Sequence, residues 1–180
     1  MRLALRILLA LILGIAIGLG AAWLSLRAGI SAFEERSGPW ITSQNFGSAE
    51  ASDRERAIVA VRGLMALSAS EAIYFNAATD SDGRDLDGGC RYRIAGPPLA
   101  ARWWSVTAYG ADAHLIPNPD HAYSAGGDGG DAVLAITGPE PGLGEIATPA
   151  GEPFELTLRA YGPGEGLIGS ELPRIERLSC

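Results

Sequence analysis

Carboxylates are crowded into the segment 80–87, which holds four aspartates within eight residues. Converging carboxylate oxygens are the ligands that Ca²⁺ prefers, so Asp82 and Asp87 are candidate ligand-binding residues. The spacing departs from that of a helix–loop–helix calcium site, because Gly83 occupies the fourth position and Arg91 stands where a bidentate Glu is needed. We therefore interpret the segment as a polar turn built from Asp and Gly, and we expect no metal and no cofactor.

The two histidines flank a proline-rich loop that also contains Asn118 and Asp120. A pair of histidines beside a carboxylate could bind a metal or transfer protons, but no third converging ligand is evident for His114 and His121. Asn118 is retained as a candidate ligand-binding residue. No serine-nucleophile elbow, zinc-protease helix motif or phosphate-binding glycine loop occurs. A non-catalytic binding or interaction module is therefore favoured. A hydrolase acting on a small molecule or glycan through the acidic segment and Asn118 is the alternative.

Two adjacent tryptophans lie in the most aromatic run of the chain, residues 102–109. The run alternates large and small side chains, which predicts a half-buried central strand with Trp103 and Trp104 on opposite faces. One indole should lie in the core. The other, which we take to be Trp104, either packs under a helix or lies beside Arg and Tyr, where it would suit a sugar or another flat ligand. Arg159, on the outward side of the alternating segment 154–161, is a further candidate.

The chain has two cysteines, Cys90 and Cys180, and no Cys-x-x-Cys pair, which argues against zinc-finger and thioredoxin-like sites. In an exported chain such a pair predicts one disulfide, and two unpaired thiols are the alternative. A bridge would hold the tail 172–179 along the strand that begins near Cys90, where it would cover an open sheet edge.

Residues 7–24 are 18 residues without a charge, which predicts a helix that crosses a lipid bilayer. We favour an uncleaved anchor over residues 1–27, with a cleaved signal peptide as the alternative. The basic residues on the two sides of this segment are nearly balanced. The short basic tail carrying Arg2 and Arg6 favours a cytoplasmic N-terminus and a body outside the cytoplasm.

The rest of the chain reads as a linker, residues 28–51, and a domain, residues 52–180. Outside residues 1–27 the net charge is −10, which argues against nucleic acid as a partner. Ser52 and Glu55 form a Ser-x-x-Glu capping box that predicts a helix over residues 53–69. Short apolar runs then alternate with turns such as 126–130, which predicts a β-sandwich or barrel-like body. The predicted strands are 73–77, 90–94, 102–109, 122–124, 133–137 and 154–161.

An ordered series of motifs resembles one bacterial family. The motifs are Tyr74-Phe-Asn-Ala-Ala-Thr-Asp-Ser-Asp-Gly83, Leu86-Asp-Gly-Gly-Cys-Arg-Tyr92, Ala101-Arg-Trp-Trp-Ser-Val-Thr-Ala-Tyr109, Asn118, Tyr123-Ser124, Phe154-Glu-Leu-Thr-Leu-Arg-Ala-Tyr-Gly-Pro163 and Leu172-Pro-Arg-Ile175. The family is domain of unknown function 1214, and the chain is similar to its small membrane-anchored subgroup, which lacks the companion domain 1254. The resemblance covers residues 38–180. It implies a mainly β, jelly-roll-like sandwich and no established activity. Combined with the segments above, this predicts a sandwich with one packed helix behind a single transmembrane helix, with the body on the periplasmic side of a bacterial inner membrane. The oligomeric state cannot be predicted.

Overall fold

The computed structural model describes residues 2–27, 35–42, 48–61 and 67–180. Within those residues the chain forms two helices and ten strands, and the fold is mainly β. Their order is α1 (Arg2–Arg27), β1 (Glu35–Ser37), β2 (Trp40–Thr42), α2 (Asp53–Val61), β3 (Ala72–Ala77), β4 (Arg91–Pro98), β5 (Ala101–Gly110), β6 (Ser124–Asp128), β7 (Ala132–Gly138), β8 (Ile146–Ala147), β9 (Phe154–Pro163) and β10 (Arg174–Ser179).

The strands form two sheets. The larger has the order β1-β2-β3-β9-β5-β6, and every neighbouring pair in it is antiparallel. The smaller has the order β10-β4-β7-β8, in which only β7 and β8 are parallel. β9 therefore lies between β3 and β5, where Leu158 faces both Phe75 and Val106 in the register.

The core contains the inward faces of both sheets. The inward side of β9 is buried as the alternation predicts, at Phe154, Leu156, Leu158 and Ala160. Tyr92, on β4 of the smaller sheet, packs edge-on against Phe154 with ring centroids 5.7 Å apart. The prediction of a mainly β, two-sheet fold is thus confirmed, while jelly-roll connectivity stays a prediction.

The larger sheet begins inside the segment that we predicted to be a linker. Residues 35–42 form the hairpin β1–β2 around Gly38, whose φ of +61° suits glycine. Trp40 is fully buried, and its Nε1 donates a hydrogen bond to the Pro173 carbonyl at 2.6 Å. The linker prediction is therefore wrong over residues 35–42. Two three-residue strands are too short to produce an alternation that can be recognised in sequence.

The capping box forms at the predicted helix start. The Ser52 N–H donates to Glu55 Oε2 at 2.7 Å, and the Glu55 N–H donates to Ser52 Oγ at 3.2 Å. The helix is described as Asp53–Val61, and residues 62–66 lie outside the described residues. Residues 67–69 are not helical, so the predicted end at residue 69 is too late.

The glycine-rich run was predicted to be a turn, but most of it is a strand. β6 spans Ser124–Asp128 and pairs with β5, so the strand predicted at 122–124 is displaced toward the C-terminus. A Cβ built on Gly126 would lie 2.6 Å from the Trp103 ring, and one on Gly127 would lie 3.2 Å from the Trp104 ring. The two indoles therefore lie against opposite faces of β6. Glycine is needed there for space rather than for a turn.

The predicted disulfide joins Cys90 to Cys180. Just before Cys180, β10 pairs antiparallel with β4, with Ile175 opposite Ile94. The tail covers the edge of β4, as the sequence predicts. At the other end of the chain, α1 contains an exposed apolar stretch, Leu3–Ser25, with mean hydropathy 2.5. This stretch is long and apolar enough to be a single membrane anchor or a signal sequence.

Candidate functional site

The acidic segment folds around Asp80, whose side chain is fully buried. Asp80 Oδ1 accepts hydrogen bonds from the backbone N–H groups of Asp82 and Arg84, both at 3.0 Å, and Oδ2 accepts one from Arg84 Nε at 2.9 Å. Burial raises the pKa of Asp80, but the two backbone donors and the Arg84 guanidinium outweigh it and hold the pKa below its ordinary value. Asp80 is thus an ionised carboxylate that organises its own loop.

The two acidic candidates from the sequence are also used by this loop. Asp82 is exposed and forms an ion pair with Arg84 at 2.7 Å. Asp87 is exposed, and its Oδ1 accepts a hydrogen bond from the Gly89 N–H at 2.8 Å, as in an Asx turn. Within the described residues, no three His, Cys, Asp or Glu side chains are grouped as they would be to hold a metal ion.

The loop candidates are likewise committed to local structure. Asn118 donates a hydrogen bond through Nδ2 to the Ile116 carbonyl at 3.0 Å and accepts one through Oδ1 from the Ala122 N–H at 2.8 Å. His114 is exposed and contacts Asp112, and His121 is exposed and contacts Tyr123. Both ends of the Asn118 amide therefore stabilise its own loop, and the contacts of the histidines are equally local.

The buried and the exposed tryptophan are the reverse of those that we predicted. Trp104 is only 4% exposed and belongs to the core, whereas Trp103 is 41% exposed. The exposed indole packs against Tyr161 with ring centroids 5.5 Å apart. Trp104 is therefore not the surface aromatic that we expected. The aromatic surface beside Arg and Tyr is instead at Trp103, because the smaller sheet covers the side of β5 that carries Trp104.

Arg159 lies on the outer face of the larger sheet, the face that points away from the core. Its Nη1 donates a hydrogen bond to Thr107 Oγ1 at 2.9 Å, and its Nη2 donates one to the Tyr109 hydroxyl at 2.5 Å. The guanidinium carbon is 5.8 Å from the Tyr74 ring centroid and 5.5 Å from that of Tyr109. Two aromatic rings and two hydroxyls thus hold one half-buried cation in a fixed position.

Arg159 has no acidic partner in the described part of the chain. Among the described residues, no carboxylate forms an ion pair with it, and its hydrogen-bond and ring partners are neutral. Of the 21 acidic residues in the chain, only Glu34 lies outside the described part. A guanidinium has five N–H donors, and two of them are used here. The outer face therefore offers a positioned cation with donors to spare.

Neighbouring strands supply further polar groups to this face. Thr157 Oγ1 donates a hydrogen bond to Asn76 Oδ1 at 2.9 Å, which directs the Asn76 amide nitrogen away from that bond. Thr107 faces Thr157 in the register, and Ser105 faces Arg159. We call the set Tyr74, Asn76, Thr107, Tyr109 and Arg159 the arginine cluster. Its chemistry is recognition of an anionic group, because every member can donate a hydrogen bond.

A shallow cleft of about 190 Å³ opens elsewhere, between the acidic segment and the start of β9. Its lining is small and mostly apolar apart from two carboxylates, at Ala78, Asp85, Leu86, Ala111, Pro153, Phe154 and Glu155. It contains neither a base paired with a nucleophile nor a cationic group. The arginine cluster is the stronger candidate site.

Sequence reasoning found Arg159 but missed its partners. The alternation along β5 does place Thr107 and Tyr109 on the same side as Trp103. What the sequence did not reveal is that β9 lies between β3 and β5, which brings Tyr74 and Tyr109 to the two sides of Arg159. That order depends on pairing between strands far apart in the chain.

The region containing this site also matches a known family. Residues 71–165 match the family model described as a protein of unknown function, DUF1214. The chain belongs to the DUF1214 family. The matched residues include all five members of the arginine cluster, so the cluster lies within the DUF1214 domain. Assignment to the small subgroup that lacks the companion domain stays a prediction.

One solved structure supports the fold. The DUF1214 chain is similar to the VPA0106 protein from Vibrio parahaemolyticus, with a TM-score of 0.57 and 24% identity over 71% of this chain and 35% of that one. It thus spans about a third of the length of VPA0106. A putative uncharacterised protein from Burkholderia cenocepacia gives a TM-score of 0.37 and 17% identity over 60% of this chain and 29% of that one. No curated protein matches the chain.

Proposed function

We propose that this DUF1214 protein is a membrane-anchored binding module, and that it binds a small anionic ligand through the outer face of its larger sheet. The proposal rests on the surroundings of the Arg159 guanidinium. Its guanidinium is held between Tyr74 and Tyr109, and its hydrogen bonds within the described residues go to the hydroxyls of Thr107 and Tyr109. A positioned guanidinium with free donors is suited to bidentate binding of an oxyanion.

The role is binding rather than catalysis. Catalysis of hydrolysis needs a nucleophile, a base and a group that orients the base. In the described part of the chain, Asp80 is committed to Arg84, and the Asn118 amide is committed to its own loop. The two histidines are exposed and bonded locally. No observation favours the hydrolase alternative.

The body lies outside the cytoplasm, on the periplasmic side of a bacterial inner membrane. The Cys90–Cys180 disulfide supports this location, because such bonds persist in oxidising compartments. The apolar stretch Leu3–Ser25 anchors the chain, and the basic residues before it stay in the cytoplasm. The binding face is therefore exposed to the periplasm.

Reporter fusions test the location. A periplasm-active reporter fused after residue 50 should be active, and a cytoplasm-active reporter at the same place should be silent. The reverse pattern would contradict the orientation. A mature protein that starts near residue 23 would show that the helix is a cleaved signal sequence instead of an anchor.

A panel of small oxyanions tests the binding face. The full chain in detergent micelles is titrated calorimetrically with acetate, phosphate, sulfate and glucuronate up to about 10 mM. This concentration range detects weak binding, with binding free energies of only a few kcal/mol. At least one anion should bind the native chain and fail to bind Arg159→Met. The control is Arg93→Met, which removes an exposed arginine paired with Glu176 on the smaller sheet. No binding by any anion, or equal binding by all three proteins, would refute the proposed face.

A further inference from the structure

The Trp103 ring packs against Gly126 of β6 and Tyr161 of β9, next to the arginine cluster. Its ring lies over Gly126, where a Cβ would approach to 2.6 Å, and beside Tyr161, with centroids 5.5 Å apart. Even so, 41% of Trp103 is exposed. An indole that is fixed on one side and exposed on the other is a stacking surface, because its electron-rich face attracts the polarised C–H groups of a ring.

Trp103 and Arg159 are neighbours on the outer face. Trp103 faces Tyr161 in the register between β5 and β9, and the next outward pair along these strands is Ser105 with Arg159. Trp103 and Arg159 are therefore diagonal neighbours, with Cα atoms roughly 7–8 Å apart. One ring-shaped molecule carrying an acid group can contact both side chains at once.

The groups around this pair are polar. Asp128 faces Trp103 in the register between β5 and β6, and it is exposed. Thr107 and Tyr109 lie on the other side, next to the guanidinium. Carboxylates and hydroxyls are suited to the hydroxyl groups of a sugar, whereas an aromatic acid without hydroxyl groups would leave them without hydrogen-bond partners. The negative Asp128 also disfavours an acid group at its end and so directs that group toward Arg159.

From this arrangement we propose the ligand class, an inference that rests on the proposed binding function. The outer face of the larger sheet binds a sugar that carries a carboxylate, such as a uronic acid residue of a glycan. Arg159 binds the carboxylate, and Trp103 stacks on the sugar ring. Gly126 is a positioning residue, because any side chain there would displace the indole.

The test compares a uronic acid trisaccharide with its uncharged methyl ester, using the full chain in detergent micelles. The acid should bind the native chain at least about tenfold more tightly than the ester, as expected for hydrogen bonds to a charged group. Arg159→Met should bind acid and ester equally. Trp103→Ala should weaken both by roughly fivefold, because stacking does not depend on the ester. Arg93→Met should behave as the native chain does.

Fluorescence supplies a readout specific to Trp103. Binding of the trisaccharide should change the tryptophan emission of the native chain. Trp103→Phe keeps an aromatic ring, so it should still bind by calorimetry while the emission change disappears. Circular dichroism and thermal unfolding establish that each variant is folded before it is titrated. An emission change that persists in Trp103→Phe would overturn the stacking assignment.

Other outcomes separate this inference from the proposed function. Equal binding of acid and ester by the native chain would rule out a carboxylated sugar as the ligand class. Tighter binding of phosphate or benzoate at Arg159 than of the trisaccharide would do the same. Either result would leave the proposed binding face at Arg159 intact. If no probe depends on Arg159, both the ligand class and the proposed binding face are wrong.

Discussion

In the described part of the chain, Arg177 and Arg159 both lie over tyrosine rings. They differ in the groups that surround their positive charge. The Arg177 guanidinium is 5.3 Å from the Tyr92 ring centroid, and its Nε is 3.4 Å from Oδ2 of the buried Asp80. The Arg159 guanidinium lies at similar distances from Tyr74 and Tyr109 but has hydroxyl partners in place of a carboxylate. The first arginine belongs to an ionic network, and the second does not.

The two arginines therefore differ in what their charge contributes to the fold. Arg177 also donates a hydrogen bond through Nη2 to the Asp85 carbonyl at 2.6 Å, so it joins β10 to the acidic segment. Its charge is therefore used in holding the fold together. In the described part of the chain, the charge of Arg159 contacts neutral oxygens and ring faces, so an incoming anion would be a stronger partner than any of these. Substitutions should thus affect stability around Arg177 and binding around Arg159.

The largest effect should come from removing the bond that ties the Arg177 strand to the domain. The loop between Cys90 and Cys180 spans 90 residues, for which chain entropy predicts a stabilisation on the order of 4 kcal/mol. Cys90→Ser and Cys180→Ser should each lower the free energy of unfolding by about this amount, and the double variant by no more than either. Urea titrations measure the effect. An unchanged midpoint in the native chain after reduction would contradict it.

The next largest effect should follow the loss of the Asp80 charge. Asp80→Asn leaves Arg177 and Arg84 without their shared carboxylate and should cost about 3 kcal/mol, because breaking a buried pair leaves an uncompensated charge. The matched control is Asp82→Asn. Its carboxylate also contacts Arg84 but is 65% exposed, so it should cost under about 1 kcal/mol. Equal costs in urea would mean that Asp80 is not the centre of the network.

Acid should weaken the same network. Because the pKa of Asp80 is lower in the folded chain than in the unfolded chain, its ionisation stabilises the fold above about pH 4. That contribution is lost as the pH falls through the lowered pKa. The gap in unfolding free energy between the native chain and Asp80→Asn should therefore narrow below about pH 4. A constant gap from pH 7 to pH 2 would be inconsistent with a titrating Asp80.

The smallest effect on stability should come from Arg159. In the described part of the chain, Arg159→Met breaks no ion pair. It does remove one hydrogen bond each from the buried Thr107 hydroxyl and the Tyr109 hydroxyl. The free energy of unfolding should therefore fall by about 1 kcal/mol, less than for Asp80→Asn. The same variant should lose oxyanion binding. A loss of several kcal/mol in urea would assign Arg159 to the structural class with Arg177 and remove the contrast between them.

Local signals in the sequence predicted local structure well. The capping box at Ser52 and Glu55 gave the helix start, because both of its hydrogen bonds lie within four residues. The alternation along 154–161 gave the buried side of β9. The cysteines correctly indicated a disulfide and a strand that pairs along β4. The first two depend on patterns within one segment, and the disulfide follows from there being two cysteines in the chain.

Three of the misses depend on distant neighbours. Trp103 and Trp104 are equally large, so only the smaller sheet decides which of them is buried. Gly126 and Gly127 form a strand because two indoles from β5 occupy the space of their missing side chains. The arginine cluster needs β9 to lie between β3 and β5. None of these relations is encoded by spacing within one segment.

The central position of β9 also has a consequence for synthesis and export. β3 and β5 are made early, yet they have no contact along their facing edges until residues 154–163 arrive to pair with both. During synthesis from the N-terminus, the chain therefore has two strand edges without hydrogen-bond partners until β9 has been made. Such edges invite pairing with other chains, and non-local pairing forms slowly. The larger sheet can therefore close only when β9 has been made and pairs with both strands.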